Sequence, residues 1–189
     1  MEQPTTEEIV DLYAQDEVPG RVTGTESRST VRARNLPHAA VKILLRDAAD
    51  RVYVHRRTES KDLYPGLIDV WIGGVITAGE VPLPAAEREL AEELGLRGCA
   101  LSPVARRWYT DAHTNYLAHL YETRHDPDVH GPIVHQRSEI ADGWWLPWHE
   151  LMTRLNDPDW PFVPDGRSHL THYAHGGRPR SAAPSPPLG

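Results

Sequence analysis

The chain has 189 residues, of which 39% are hydrophobic and 25% are charged, and its formal net charge is −7. This composition is typical of one soluble globular domain with a core of its own, and the acidic balance argues against broad nucleic-acid binding, which needs a basic face. The single cysteine, Cys99, excludes an internal disulfide, and the absence of a long apolar run or a signal-peptide pattern favours a cytoplasmic protein without a membrane partner.

The first half of the chain alternates between polar segments and β-prone segments. We expect residues 1–25 to form an N-terminal extension that packs on the domain, and residues 26–35 to form a short helix. The segments 41–45 and 52–55 are rich in Val, Ile and Leu and are separated by a polar turn, which predicts two strands. The apolar segment 70–72 predicts a third strand, and two glycines follow it.

A helix is predicted next, from Pro84 to Leu94. Proline suits the first position of a helix, the following residues are good helix formers, and Gly95 suits the left-handed position just past the end. Spacings of three and four residues create two faces on this helix. The acidic face carries Glu89, Glu92 and Glu93, whereas the apolar stripe consists of Leu83, Ala86, Leu90 and Leu94.

The second half predicts a strand at 115–122, a polar loop at 123–132, a strand at 144–146 and a helix from Pro147 to about Leu155. Residues 26–165 are therefore expected to form the domain, and the Pro/Gly/Ser-rich residues 176–189 a disordered tail. These elements alone predict a mixed α/β protein.

The three glutamates on one helix face are suited to a cation. Carboxylates that lie so close repel one another unless a cation offsets their charge, and Mg²⁺ or Mn²⁺ prefers hard oxygen ligands. A solvated acidic helix face would show the same spacing. The preceding strand and the glycines Gly73 and Gly74, where backbone can approach a ligand, favour the metal site.

The stretch GVITAGEVPLPAAERELAEELGL contains Gly74, Glu80, Arg88-Glu89, Glu92-Glu93 and Gly95 at fixed offsets. It resembles the signature of the Nudix family at every specified position. The resemblance implies an α/β/α sandwich around a mixed sheet, and hydrolysis of diphosphates that are linked to another group, with Mg²⁺ or Mn²⁺ as cofactor.

The same resemblance implies roles for individual residues. Glu89 and Glu93 are the principal metal ligands, Glu92 is a further ligand or a water-activating carboxylate, and the Gly74 carbonyl is an extra ligand. Arg88 holds a glutamate of the motif in place, with Glu80 as its partner, and Gly74, Glu80 and Gly95 shape the motif. Glu139, just before the predicted strand at 144–146, is the candidate base, and an ordinary loop glutamate is the alternative.

A second resemblance concerns the pattern R-x3-K-x3-P-G, which here begins at Arg57 and includes Lys61. It is similar to the type I isopentenyl-diphosphate isomerases and their bacterial hydrolase-like relatives, and it implies that Arg57 and Lys61 bind the substrate diphosphate; two surface cations are the alternative. His38 matches a metal ligand of the isomerases. The isomerases' cysteine and partner histidine are missing before the helix, and Cys99 lies beyond it, so hydrolysis is favoured.

We therefore predict a hydrolase that acts on a small-molecule diphosphate, either a nucleoside diphosphate linked to another group or a prenyl diphosphate. The alternatives are an isoprenoid-diphosphate isomerase and a non-catalytic diphosphate-sensing module. A homodimer is left open. His169, His172 and His175 lack an acidic or cysteine partner in the sequence, and they are predicted to lie on the surface.

Overall fold

The computed structural model of the protein describes residues 7–15 and 20–177. The residues of the predicted tail from 178 onwards lie outside these ranges, as do residues 1–6 and 16–19 of the predicted extension. The predicted domain limits therefore stay predictions. No helix within the described ranges is long and apolar enough to cross a bilayer.

The nine strands of the described chain form two sheets. The smaller sheet pairs β1 (Ile9–Tyr13) with β2 (Val22–Ser27) in antiparallel fashion. The larger, seven-stranded sheet consists of β3 (His38–Arg46), β4 (Val52–Arg57), β5 (Ile68–Asp69), β6 (Trp71–Ile72), β7 (Ser102–Thr110), β8 (Asn115–Arg124) and β9 (Ile140–Leu146).

The larger sheet is mixed, because β3 and β8 run parallel whereas the other pairs are antiparallel. β3 and β4 pair at Arg46 and Val52 and then diverge, so that β3 continues alongside β6 and β4 alongside β5 and β9. The chain after β6 follows the first half of β3, where the Val41 amide donates to the Gly74 carbonyl at 2.9 Å. The divergence of β3 and β4 thus brings the segment 73–81, which begins with Gly73 and Gly74 and is called the glycine loop below, beside the middle of the sheet.

Helices cover both faces of this sheet. They are α1 (Arg28–Arg34), α2 (Pro82–Leu94), α3 (Pro127–His130), α4 (Trp148–Leu155) and α5 (Pro164–His172), and a π-helical turn (Tyr173–Gly177) follows α5. Leu90 and Leu94 of α2 pack in one core with Ile43, while Leu151 of α4 and Leu170 of α5 pack in a second core on the opposite face. The predicted α/β/α arrangement around a mixed sheet is confirmed.

The motif helix is longer at its start than predicted. It begins at Pro82, so this proline, and not Pro84, occupies the first helical position. Leu83 was placed in the apolar stripe, but it is exposed, and Ala85 is buried in its stead. The predicted end is confirmed: Gly95 adopts a left-handed conformation with φ 70°, and its amide donates to the Ala91 carbonyl at 3.1 Å.

Elsewhere the predicted elements are present with shifted ends. The helix predicted at 26–35 is α1, preceded by Ser27, whose side chain accepts a hydrogen bond from the Thr30 amide as an N-cap. The loop predicted at 123–132 contains the short helix α3, for which Asp126 is the N-cap. Four strands and one helix left no pattern from which they were predicted: β1, β2, β5, β7 and α5.

Candidate active site

A cavity of about 370 Å³ lies between the middle of the sheet, α1 and the C-terminal half of α2. It has an acidic wall from α2, a basic wall from α1 and the loop after β4, and a polar floor from the sheet and α5. Its size is within the range of small-molecule sites.

The three glutamates of α2 all line the cavity, but their environments differ. Glu93 is buried, the Glu89 side chain is 12% exposed, and the Glu92 side chain is 51% exposed. Burial raises the pKa of the Glu93 carboxyl to about 8, and the nearby carboxylates of Glu89 and Glu139 add to this effect. Burial also raises the pKa of Glu89, although Arg88 opposes it. Both carboxylates would be stabilised in the charged form by a nearby cation.

Arg88 is the centre of the ion pairs at this wall. Its Nε and Nη2 each donate to a different oxygen of Glu80 at 3.0 Å, the forked geometry that arginine forms with a carboxylate. Its Nη1 donates to Glu89 at 2.8 Å and to Glu92 at 3.2 Å. The hydrogen bonds from Arg88 lower the pKa of Glu80. Arg88 therefore joins the glycine loop to the helix and orients two of the three glutamates.

Gly74 is required at its position by the Glu89 carboxylate. A Cβ at residue 74 would lie 2.7 Å from Glu89 Oε1 and 2.9 Å from Oε2, so a larger residue would displace that carboxylate. One lone pair of the Gly74 carbonyl accepts the hydrogen bond from Val41, and the second lone pair is available in principle for a metal.

The fit of this wall to a divalent cation depends on its donor set. Within residues 7–15 and 20–177, no three carboxylate, imidazole or thiol groups already converge on one point as a formed metal site. Arg88 Nη1 forms ion pairs with both Glu89 and Glu92, so a cation of the chain itself already contacts these two carboxylates. The donors are nevertheless hard oxygens, and Glu89 and Glu93 have raised pKa values that a cation would reverse.

Arg57 and Lys61 line the cavity at the end of β4 and in the loop that follows. Arg57 donates from Nε and Nη2 to the Leu63 carbonyl at 3.3 and 2.9 Å, so it also holds this loop. Lys61 forms a short ion pair with Glu139. This contact joins the predicted phosphate-binding lysine to the predicted base, which the sequence analysis did not anticipate.

Glu139 is brought to the cavity by the segment before β9. The amides of Val134 and Gln136 donate to the carbonyls of Leu94 and Glu93, both at 2.9 Å, and so satisfy the last turn of α2. The Glu139 carbonyl in turn accepts from the Thr58 amide at 3.1 Å. The segment is thereby held between α2 and the loop that carries Lys61.

Several cavity residues were missed by the sequence analysis. Arg28 and Arg32 of α1 line the basic wall and pair with Glu8 at 2.7 Å and with Asp62 at 3.1 Å. The floor contains Lys42, Asp69, Tyr116 and Asp165. Lys42 is one of only two lysines in the chain, which is the one signal that could have drawn attention to it.

The histidines divide into buried and exposed groups. His38 is buried at the cavity, its Nδ1 lies 3.0 Å from the Leu36 carbonyl, and burial lowers its pKa. The surface position predicted for His169 is wrong, because α5 packs this side chain into the core, where Nε2 lies 2.9 Å from the Tyr116 hydroxyl. His172 and His175 are exposed, as predicted.

Residues 36–166 match the protein family described as NUDIX domain. The chain is 42% identical to an uncharacterized Nudix hydrolase, orf19, of Rhodococcus erythropolis, over 92% of this chain and 98% of that protein. It is 34% identical to an uncharacterized Nudix hydrolase, YfcD, of Salmonella typhi, over 86% of this chain and 83% of that protein.

Solved structures also resemble the fold. DR0079 from Deinococcus radiodurans superposes with a TM-score of 0.71 at 24% identity, over 87% of this chain and 98% of that one. The NUDIX domain of Shewanella oneidensis NrtR, solved in complex with ADP ribose, superposes with a TM-score of 0.56 at 19% identity, over 72% and 84% of the two chains. At these identities the likeness concerns the fold.

Proposed function

The chain belongs to the Nudix family and is a Nudix hydrolase, and from this premise we propose that it hydrolyses a diphosphate linkage in a small molecule with the help of Mg²⁺ or Mn²⁺. One observation carries the proposal: the motif glutamates of α2 and the cations Arg57 and Lys61 line a single cavity. This combination suits a substrate whose phosphates need cationic contacts on one side and a metal on the other.

In this proposal each residue has a distinct role. Glu93 and Glu89 hold the cation, with Glu92 as a further ligand or base, and the Gly74 carbonyl is an additional donor. Binding an ion requires the contacts from Arg88 to Glu89 and Glu92 to loosen, while the fork to Glu80 keeps Arg88 in place. When bound, the metal lowers the pKa of the attacking water and offsets charge on the phosphate oxygens.

The proposed reaction is an attack of water on phosphorus. Arg57 and Lys61 bind the phosphate oxygens and orient the linkage. Glu139 or Glu92 accepts the proton of the water as its oxygen bonds to phosphorus, and the bridging P–O bond breaks so that the other phosphate leaves. A well-positioned carboxylate base contributes typically about 10²–10⁴-fold to the rate. If Glu139 is the base, its ion pair with Lys61 must open. A substrate phosphate promotes this opening when it binds Lys61 in place of Glu139.

The isomerase alternative is disfavoured by the position of Cys99. This thiol is buried in the core beneath α2 and is not among the residues that line the cavity. Burial raises its pKa, which is unfavourable for a reactive thiolate. A non-catalytic sensor is disfavoured by the complete set of motif glutamates.

Product analysis tests the proposal. The full chain is incubated with Mg²⁺ and, separately, with EDTA, in the presence of ADP-ribose, nucleoside triphosphates, sugar nucleotides, coenzyme A or isopentenyl diphosphate. ADP-ribose is included because the NrtR domain binds it. Products are identified by phosphorus NMR in ¹⁸O-labelled water.

Metal-dependent release of a phosphate that carries ¹⁸O from the solvent supports the hydrolase. An allylic diphosphate product would instead indicate the isomerase, and binding without any turnover would indicate the sensor. Either of these two results contradicts the proposal.

A further inference from the structure

The cavity floor is a buried set of polar groups that the proposed chemistry does not use. It brings together Lys42 of β3, Tyr116 of β8 and Asp165 at the start of α5. Lys42 Nζ lies 3.2 Å from Asp165 Oδ2, and the Tyr116 hydroxyl donates to the same oxygen at 2.7 Å. The side chains of Lys42 and Asp165 are only 12% and 7% exposed.

Hydrogen bonds from residues behind the cavity floor orient its side chains. Arg107 Nη1 donates to the Ser168 carbonyl at 2.8 Å and to His169 Nδ1 at 3.4 Å, and His169 Nε2 lies 2.9 Å from the Tyr116 hydroxyl. Because an arginine can only donate, His169 Nδ1 accepts, and its Nε2–H donates to the tyrosine oxygen. The tyrosine proton is then directed to Asp165, which keeps this carboxylate in its place on the floor.

A second carboxylate lies on the floor beside this pair. Asp69 is buried, and its Oδ1 accepts the amides of Val70 at 2.7 Å and Trp71 at 3.1 Å. The floor therefore contains one ammonium and two carboxylic groups, so it does not complement a phosphate. Arg57 and Lys61 are better suited to bind the phosphates, so the floor is available to bind another part of the ligand.

The floor offers a donor-only ammonium directly beside an acceptor-only carboxylate. A ligand group with a neighbouring acceptor and donor, such as two adjacent hydroxyls, can bond to both. An alkyl or prenyl chain in the same place would displace water from these groups without replacing its hydrogen bonds, which is costly.

We propose that Lys42 and Asp165 bind the non-phosphate part of the substrate and select a polar group with adjacent hydrogen-bond donor and acceptor, from a sugar or the edge of a nucleobase, over a prenyl chain. This inference rests on the proposed function, because it assigns the remainder of the same cavity. It makes Lys42 and Asp165 specificity determinants, and Tyr116 and His169 positioning residues.

The test compares kcat/KM for ADP-ribose and for geranyl diphosphate in the parent protein and in Lys42→Met, Lys42→Arg and Asp165→Asn. The parent is expected to prefer ADP-ribose. Each variant should lower kcat/KM for ADP-ribose by about 10- to 100-fold, the effect of losing a hydrogen bond to a charged group, and change the value for geranyl diphosphate by less than about threefold. The matched control is Arg124→Met, which removes a cation from an exposed strand-end pair with Asp50 and should preserve both values.

Circular dichroism and the melting temperature establish that each variant is folded. Lys42→Met leaves two buried carboxylic groups without their cation, so Lys42→Arg, which keeps the charge and changes the geometry, provides the result if the methionine variant unfolds. A third arm compares the kcat/KM of the parent protein for a nucleoside triphosphate and for its 2′,3′-dideoxy analogue. A lower kcat/KM for the dideoxy analogue identifies the sugar hydroxyls as the recognised group. Equal kcat/KM values for the two compounds identify the nucleobase edge.

The inference is overturned if folded Lys42→Arg and Asp165→Asn keep the parent's ratio of the two kcat/KM values within twofold, or if the parent hydrolyses geranyl diphosphate as efficiently as ADP-ribose. Either result leaves the hydrolase proposal standing. Should no diphosphate be hydrolysed, the hydrolase proposal fails, and calorimetric binding of ADP-ribose to the parent and to Lys42→Arg decides the inference: at least tenfold weaker binding by the variant supports it, and equal or undetectable binding overturns it.

Discussion

At the residue scale, the three motif glutamates are chemically alike but differ in environment. Glu92 is half exposed, Glu89 is held by Arg88, and Glu93 is buried with a pKa raised to about 8. A buried carboxyl of this kind gains most from a divalent cation, because the cation offsets the cost of its charge. Glu93 is therefore the residue on which metal binding should depend most.

Glu93→Gln should reduce kcat by at least about 10³-fold, because a metal supplies several kcal/mol of transition-state stabilisation, or roughly a factor of ten for each 1.36 kcal/mol. The fold should survive, since the amide is neutral and similar in size. Initial rates under limiting Mg²⁺ and the melting temperature measure both effects. Glu87→Gln, on the exposed side of the same helix, is the control. Activity of Glu93→Gln within twofold of the parent would contradict the assignment.

Arg57→Ala and Lys61→Ala should each raise KM, with the Mg²⁺ concentration for half-maximal rate little changed, because these cations are proposed to contact phosphate and not the metal. Arg57→Lys should also be impaired, since a forked contact is lost when a point charge replaces the guanidinium. Steady-state kinetics at varied substrate and Mg²⁺ test this, with the exposed Arg97→Ala as control. Unchanged KM values in both alanine variants would show that these residues do not bind substrate.

Cys99→Ala should retain full hydrolase activity, because the thiol is buried in the core and does not line the cavity. A loss of about 1 kcal/mol in the free energy of unfolding is expected from the smaller side chain. Turnover and urea denaturation are the measurements. If a folded Cys99→Ala protein lost its activity, the isomerase alternative would have to be reconsidered.

At the element scale, the end of α2 organises the site. Gly95 terminates the helix in a left-handed conformation, and its amide donates to the Ala91 carbonyl at 3.1 Å, the bond of an αL cap. The Leu96 amide donates to the Leu90 carbonyl at 3.3 Å. The last two carbonyls of the helix, at Glu93 and Leu94, accept from the segment that leads to Glu139. One helix terminus thus positions Glu93 and Glu139 together.

Gly95→Ala should destabilise the protein by about 1–2 kcal/mol, because φ at this position is 70° and an L-residue is disfavoured there. Its Cβ would also approach the Val134 Cβ to 3.3 Å. Urea denaturation measures the change. Gly24→Ala is the matched control, since it has open space around it and no positive φ is found there. Equal stability of the Gly95→Ala variant and the parent would argue against the cap as a stabilising feature.

At the scale of the whole molecule, the two cores on opposite faces of the sheet bury charged and titratable groups as well as apolar ones. His55 of β4 is buried, and burial lowers its pKa to about 3, with the charges of Arg57 and Lys42 as further causes. Burial likewise lowers the pKa of His169 to about 3. Both histidines are therefore neutral in the folded protein and become charged on unfolding in acid.

The sign of the pH effect follows from these shifts. A histidine with a depressed folded pKa contributes stability above its usual pKa of 6.5, and this contribution is lost as the pH falls from 6.5 toward about 3. His55→Leu should therefore lose less free energy of unfolding between pH 7 and pH 4.5 than the parent, by an amount on the order of a few kcal/mol. Calorimetry at the two pH values tests this. The exposed His149→Leu should behave like the parent, and an equal loss in His55→Leu and the parent would contradict the prediction.

The sequence by itself determined the features that are local in the chain. Helical spacing places Glu89 and Glu93 on one face, and the glycine after Leu94 ends the helix, as the structure has them. The resemblance to the Nudix signature, also carried by a short stretch of sequence, implied the pair of Arg88 with Glu80 that the structure contains. β-prone segments and polar turns likewise predicted most strands of the larger sheet. These features depend on backbone geometry over a few residues, so they leave a pattern in the sequence.

Only the tertiary structure decided which distant residues share the cavity. Lys61 meets Glu139 across 78 positions, and Lys42 of β3 meets Asp165 of α5, a helix that shares one core with β3. The same packing buried His169, which the sequence had suggested to be on the surface. Such contacts depend on the order of strands and on the face that each helix buries, and neither leaves a periodic signal at the residues concerned.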